Sequence, residues 1–351
     1  MSETHLLIIG SGSIGSLENI YRRAFKSIEG VSVTFFDLER FRLKIRNNAV
    51  NRVINNRFMY VLHSKYVEKK LFTFVSNNND CYDVVIIFKG MEFSRRALQA
   101  CRRKQRKAVW LNINPDDPFN IKSVASSNRN VLDSFSMYEI YCTWSRALVK
   151  KLQSNGCQRV EYLPFGYDPE FHAPPKEDAS VDAGLISFVG TWDPQREAIL
   201  SKLTDYNLRI FGNGWDRVSK HSPLWKKIVP HDIYCSDLSE IVFKSAACLN
   251  LLRPQNEGAH NMRTFEIPAI GGLMLTTRSE EQNRFFPEGE GCLMFGNMDE
   301  LENQLDWVLR NPYAALKIRK RGAELVRGHS YVERAKALLA VISDAQLAVN
   351  A

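Results

Sequence analysis

The stretch Leu6-Leu7-Ile8-Ile9-Gly10-Ser11-Gly12-Ser13-Ile14-Gly15 decides how the rest of the chain is read. Its unbroken apolar run has strand length and no polar alternation, the pattern of a parallel strand covered on both faces. Gly10, Gly12 and Gly15 then turn the backbone into a helix that continues to about Ile28. Val31–Phe36 is a second strand, ending at Asp37. Strand, glycine turn, helix and strand together open a doubly wound α/β sheet.

The alternation continues outward from there. Asp83–Phe88 reads as a buried strand flowing into Lys89-Gly90, Ser94–Lys107 as a basic helix and Ala108–Asn112 as another strand. Asn47–Asn56 and Asn77–Asp80 read as solvated loop or helix-edge segments. In the second half Leu185–Val189, Leu208–Phe211, Cys248–Leu252 and Leu273–Thr276 are strands. Pro194–Leu203, Leu238–Ser245, Leu301–Leu309, Tyr313–Arg327 and Tyr331–Val349 are helices. Pro164–Pro175 is rich in proline and aromatics, and a polar acidic stretch leads on to Asp182, which suits a linker. The expected organisation is an N-terminal domain over residues 1–170, a linker over 171–183, a C-terminal domain over 184–330 and a final helix within 331–351. Two such α/β domains facing across a cleft would bind ligands beyond the carboxyl ends of their strands.

Bulk properties narrow the function classes. At 351 residues the chain exceeds one typical core. No apolar run approaches the ~20 residues of a membrane span, and the N-terminus lacks a secretory signal, so a cytoplasmic protein is expected. The net charge of +8 draws on runs such as Arg102–Lys107 and Lys317–Arg321, which read as solvated faces. The excess suits an anionic substrate or surface. Seven cysteines, an odd number without a CxxC pair, exclude a disulfide framework and a zinc site and fit free thiols. His5, His63, His172, His221, His231 and His329 show no metal-ligand spacing.

Gly10-x-Gly12-x-x-Gly15 with Asp37 at the end of the next strand meets the context test of a dinucleotide-binding fingerprint. That makes an NAD(P)-dependent oxidoreductase the alternative reading, with Asp37 on the ribose. The same region, through Gly12, Ser13 and Lys89, can instead line an acceptor site.

The C-terminal half carries a different nucleotide signal. Phe188-Val189-Gly190-Thr191-Trp192-Asp193-Pro194-Gln195-Arg196 puts a glycine turn between strand and helix, with Arg196 in the first helical turn. Ile210-Phe211-Gly212-Asn213-Gly214-Trp215 is a second strand and glycine turn, where either a base packs or the tryptophan enters the core. Lys244 precedes a strand, and Arg253, Glu257 and His260 lead into Asn261-Met262-Arg263-Thr264-Phe265-Glu266-Ile267-Pro268-Ala269-Ile270-Gly271-Gly272. The start of that last helix offers unpaired N–H groups and partial positive charge, which attract phosphate.

These motifs, taken in order with Ser245-Ala246, Leu249-Asn250 and His329-Ser330-Tyr331…Arg334, resemble the CgeB-like group of GT-B glycosyltransferases over most of residues 184–345. Phe88-Lys89-Gly90, Asn114-Pro115-Asp116-Asp117-Pro118 and Leu163-Pro164-Phe165-Gly166-Tyr167-Asp168-Pro169 resemble the group's cleft and linker segments. The resemblance implies a GT-B fold of two Rossmann-like domains, the second binding a nucleotide-diphosphate sugar and the first an acceptor. It also implies a last helix that crosses back to the first domain. Glu266 would accept from the nucleotide ribose, and Arg263, Thr264 and nearby amides would hold the diphosphate. Gly190, Thr191, Gly212, Asn213, Gly214, Trp215, His260 and Asn261 would line the donor, with Arg196 or Lys244 countering the departing phosphate. The substrate would be a UDP-, GDP- or dTDP-sugar, with no tightly bound cofactor. The acceptor, whether glycan, small molecule, protein or nucleic acid, stays open.

No Asp-x-Asp motif is present, which agrees with metal-independent transfer. Eight residues separate Glu257 from Glu266, one more than the glutamate spacing of many retaining GT-B enzymes, so retention and inversion both stay open. An inverting transfer needs a base near the acceptor hydroxyl, for which Asp116 and Asp117 are the candidates. Alternatively, both cap a turn. A GT-B-like protein that binds without turnover is the third reading.

Overall fold

A computed structural model describes residues 3–41, 51–77, 81–121, 126–175, 180–229 and 236–350. Residues 47–50 and 78–80 of the Asn-rich segments, 176–179 of the expected linker, and His231 lie outside these. The chain divides into two compact units, Met1–Pro164 with Val332–Ala351, and Phe165–Tyr331.

The first unit runs β1 (Thr4–Gly10), α1 (Leu17–Lys26), β2 (Val31–Asp37), α2 (Asn51–Asn77), β3 (Val84–Phe88), α3 (Arg95–Arg102), β4 (Val109–Asn114), α4 (Arg129–Asp133), β5 (Ile140–Thr143), α5 (Arg146–Ser154) and β6 (Arg159–Tyr162). Every strand pair is parallel, in the order β2-β1-β3-β4-β5-β6. β3 and β4 are buried along their whole length, as strands with helices on both faces must be. Ser16 and Ser94 cap α1 and α3 by accepting from the amides of Asn19 and Ala97.

Asn51–Asn56, expected as loop or helix edge, begins the 27-residue α2. Asparagine is a weak helix former. Val67, Leu71 and Val75, one turn apart and fully buried, show that packing of one stripe outweighs local propensity.

The second unit runs β7 (Asp182–Val189), α6 (Pro194–Leu200), β8 (Asn207–Phe211), α7 (Ser236–Lys244), β9 (Ser245–Asn250), α8 (Arg263–Ile270), β10 (Met274–Thr277), α9 (Glu280–Phe285), β11 (Leu293–Phe295), α10 (Met298–Arg310) and α11 (Pro312–Leu325). Its parallel sheet has the order β11-β10-β9-β7-β8 around a core that includes Ile186, Phe188, Ile210, Trp215 and Leu249. α12 (Tyr331–Asn350) then returns the chain to the first unit, burying Ala335, Leu338 and Ile342.

Both sheets reverse their winding at the first strand. β2 lies on one side of β1 and β3 on the other; β8 and β9 flank β7 in the same way. Each unit therefore has a switch point where two glycine- or lysine-bearing loops diverge, and ligands bind at such points.

Candidate functional site

At the switch point of the second unit, Gly190 and Thr191 follow β7 while Leu251, Leu252 and Arg253 follow β9. Arg196, in the first turn of α6, bridges the two. Its Nε and Nη2 donate to the Leu251 carbonyl at 3.2 and 2.7 Å, and its Nη1 to the Thr191 carbonyl at 3.0 Å. The guanidinium also lies over the Phe188 ring, 5.3 Å from its centroid. Arg263, at the start of α8, donates from Nε to the Val189 carbonyl at 3.2 Å. Arg253 completes the group, and its buried Nε has no hydrogen-bond partner among the described residues.

Three guanidiniums in one neighbourhood disfavour one another. Burial, with the charges of Arg253 and Arg263, lowers the Arg196 pKa to about 10 despite the opposing carboxylate of Asp193. A ligand with two or more negative charges would relieve that repulsion.

Glu266 lies fully buried beside this cation group. Its carboxylate pairs with Arg263, and its Oε1 is 3.6 Å from His172 Nε2. The Asp168 amide donates to His172 Nδ1 at 3.0 Å, so the ring proton sits on Nε2 and faces Glu266. Burial pushes the Glu266 carboxyl up, but Arg263 and His172 outweigh it and hold it below the usual range. The carboxylate is therefore ionised and keeps acceptor capacity for a ligand hydroxyl. His172 received no role from the sequence, because no local pattern joins it to a residue 94 positions away; 266 minus 172 gives that separation.

The remaining donor-site candidates divide. Gly190 and the Gly212–Trp215 turn are held by two backbone bonds and one side chain: the Gly190 amide donates to the Phe211 carbonyl at 2.9 Å, the Trp192 amide to the Asn213 carbonyl at 2.8 Å, and Trp215 Nε1 to the Gly190 carbonyl at 2.8 Å. Gly212 has φ 125°, and a Cβ there would lie 2.4 Å from the Gly190 oxygen. Gly214 has φ 82°. Trp215 is in the core, so its part in the site is to fix the glycine turn. Thr191 and Asn213 are exposed at the rim of these turns.

Thr264 and His260 are wholly buried. Thr264 shares a polar network with Asn250, Asn261, Thr276 and Gln282, which ties α8 to the ends of β9 and β10. His260 accepts from the Phe165 amide at 3.1 Å and donates from Nδ1 to Glu281 at 2.9 Å, within a ring cluster of Phe165, Phe265 and Phe285. Both shape the loop rather than line open space. Lys244 pairs with Glu240 one turn back on α7. Glu257 is exposed, in a turn where its amide donates to the Pro254 carbonyl. The motif around Gly166 pairs with the one around Ser330, the Tyr167 amide donating to the His329 carbonyl and the Tyr331 amide to the Tyr167 carbonyl.

In the first unit the fingerprint loop closes on itself. The Gly12 and Glu39 amides both donate to Asp37 Oδ1 at 2.9 Å, and Arg40 lies 3.7 Å from Oδ2. A ribose would have to displace these partners. Ser13 is exposed and joins Ser11 through their hydroxyls at 3.1 Å. Lys89, at the end of β3, adopts φ 55°, the left-handed region a side chain seldom occupies. Its Nζ is 2.6 Å from Asp116 Oδ2. Asp117 accepts from the Phe119 amide at 2.9 Å and so caps a turn. Among the described residues no group of His, Cys, Asp and Glu is arranged to hold a metal ion, and no helix is long and apolar enough to cross a membrane.

Comparison with known proteins bears on the fold and on part of the second unit. Residues 195–340 match the family model described as glycosyl transferase-like. No curated protein matches the chain. Among solved structures, sucrose-phosphate synthase from Thermosynechococcus elongatus aligns with a TM-score of 0.70 at 12% identity, covering 99% of this chain and 100% of that one. Anabaena HepE in complex with UDP-glucose aligns at 0.65 and 12%, covering 97% and 100%. A glycosyltransferase from Rickettsia africae aligns at 0.61 and 14%, covering 98% and 99%. The fold is GT-B, with two Rossmann-like α/β domains. The stretch that resembles the glycosyl transferase-like model contains Arg196, Arg253, Arg263 and Glu266.

Proposed function

We propose that the chain is a glycosyltransferase, of the CgeB-like group its motifs resemble, that moves a sugar from a UDP-, GDP- or dTDP-linked donor to an acceptor bound by the first unit. The observation that carries this reading is the unbalanced Arg196–Arg253–Arg263 group at the switch point of the second sheet, next to an ionised, buried Glu266. A diphosphate matches the charge of the arginines, and a ribose hydroxyl matches the carboxylate. As the sugar leaves, negative charge grows on the diphosphate. Fixed guanidiniums stabilise it without reorganising, the part a metal ion plays in other transferases.

The arginines divide the work. Arg196 holds the β7 and β9 loops together through carbonyls and contributes charge from behind. Arg253 and Arg263 would meet the phosphates. In the first unit Asp116 is the better candidate base, since Asp117 is committed to its turn. It would have to leave Lys89 to take the acceptor proton. The free cysteines Cys101, Cys142, Cys157, Cys248 and Cys292 are buried thiols and suit a reducing cytoplasm.

Isothermal titration with UDP, GDP and dTDP tests the reading. One of them should bind, and Glu266→Ala or Arg253→Ala should each weaken it by about 1–3 kcal/mol, the loss of one charged hydrogen bond. Absence of binding by all three would sink the proposal.

A further inference from the structure

The positive charge of the chain is gathered in one place. Residues 95–107 hold five arginines and two lysines, and no acid. The whole chain has 47 Lys and Arg against 39 Asp and Glu. With this segment set aside, 40 cations face 39 acids, so all but one of the eight net charges lie within it.

The segment is α3 with the turn that follows it. Leu98 and Cys101 are fully buried and fasten the helix to the first unit, which leaves Arg95, Arg96 and Gln99 on the exposed face. Arg103, Lys104, Arg106 and Lys107 come next, all exposed, before the chain turns inward at Ala108 to start β4. Arg102 is paired with Glu139, and Arg95 donates to the Asp133 carbonyl at 3.3 Å. Arg106 Nε donates to the Arg103 carbonyl at 3.2 Å, within the turn itself. Arg96, Arg103, Lys104, Arg106 and Lys107 have no acidic partner among the described residues. Like charges this close repel one another, and an anionic partner relieves that repulsion. The turn precedes β4, so it lies at the edge of the parallel sheet opposite to the loops that follow β1 and β3.

We propose that the exposed face of α3 and the turn after it dock on a membrane surface of acidic phospholipids. Each Lys or Arg close to such a surface strengthens attachment about fivefold, so five unpaired cations in one short segment suffice for peripheral binding. The chemistry of the segment favours lipid over nucleic acid. Residues 95–107 contain no aromatic side chain on which a base could stack, and the cations lie on the outer face of a helix and its turn. A plane of headgroup phosphates needs no stacking partner. Docking through this edge leaves the loops at the β1/β3 switch point uncovered. The proposal stands on the placement of charge alone and is independent of the glycosyltransferase reading.

Co-sedimentation of the full chain with vesicles tests it. The chain should bind vesicles of phosphatidylglycerol and phosphatidylcholine, pass over vesicles of phosphatidylcholine alone, and be released at about 1 M salt, where the screening length is about 3 Å. Arg103→Gln, Lys104→Gln and Lys107→Gln together should weaken binding about a hundredfold while leaving Tm nearly unchanged, since all three are exposed. Lys317→Gln, Lys320→Gln and Arg321→Gln remove the same charge from the exposed face of α11 and should leave vesicle binding nearly unchanged. Equal losses in the two triple variants would reduce the attraction to net charge and overturn the proposal. So would equal binding to neutral vesicles, or none to acidic ones. Duplex DNA at matched phosphate concentration should bind more weakly than the acidic vesicles; tighter binding would assign the surface to nucleic acid instead. Because no nucleotide is present, failure of the nucleotide titration and failure here are separate results.

Discussion

Glu266 combines two demands that usually conflict, burial and charge. A carboxylate taken out of water is destabilised unless its surroundings compensate it, and the Arg263 guanidinium and the Nε2–H of His172 do that here. The linkage has a definite sign. The folded carboxyl is held below the usual carboxylate range, so the native state binds its proton less readily than the unfolded chain. Its contribution to stability is complete above pH 4.5 and fades as the pH falls through the folded value. Glu266→Gln should therefore lower Tm at neutral pH, and the gap to wild type should narrow on acidification below pH 4.5. A gap independent of pH in thermal melts would mean that neither Arg263 nor His172 acts on this carboxylate. Arg196 and Arg253 differ at the same scale. Arg196 has each donor group on a carbonyl, so its removal should cost stability as well as affinity, whereas Arg253 has a buried Nε without a partner among the described residues.

The glycine turns after β7 and β8 act as one element, because the second is pressed against the first. At Gly212 two penalties coincide for any side chain: φ is 125°, and the Gly190 oxygen stands where Cβ would be. Gly258 also has positive φ, 73°, but nothing within 4 Å of a built Cβ. Gly258→Ala should cost about 1–2 kcal/mol, the strain of the left-handed region alone. Gly212→Ala should add about 1–3 kcal/mol of overpacking and weaken nucleotide binding as the Gly190 turn shifts. Chemical denaturation of the two variants checks this, and equal losses would show that the Gly190–Gly212 contact gives way freely. Such packing also explains what the sequence could and could not convey. Gly190, Gly212 and the polar start of α8 were legible because a strand ending in glycine constrains the backbone locally. β5, β6 and β11, only three or four residues long, offer too little periodicity to separate from loop. Thr264 and His260 read as ligand contacts, since a polar residue at a helix start looks the same whether it faces solvent or closes a buried network. His172 was invisible for the opposite reason, its partner being distant in sequence.

At the scale of the whole molecule, one architecture occurs twice. Each sheet reverses at its first strand, and the reversal in the second unit gathers the arginines. On the proposed reading, the nucleotide diphosphate binds at the arginines of the second unit. The division predicts where a ligand protects the backbone. Exchange through openings that release a ligand is slowed by the factor 1 + [L]/Kd, about a hundredfold at a hundred times Kd. With the nucleotide diphosphate at that excess, amides following β7 and β9 and those in the first turn of α8 should exchange up to about a hundredfold slower, while those following β1 and β3 keep their rates. Leu338→Ala separates binding from stability: this residue is 2% exposed in α12, and the truncation should cost about 2–5 kcal/mol. Because α12 belongs to the first unit, faster exchange should appear in β1 and β3 while affinity for the nucleotide stays unchanged. Nucleotide protection centred on Lys89 rather than on Gly190 and Arg253 would reverse the assignment of the two sites.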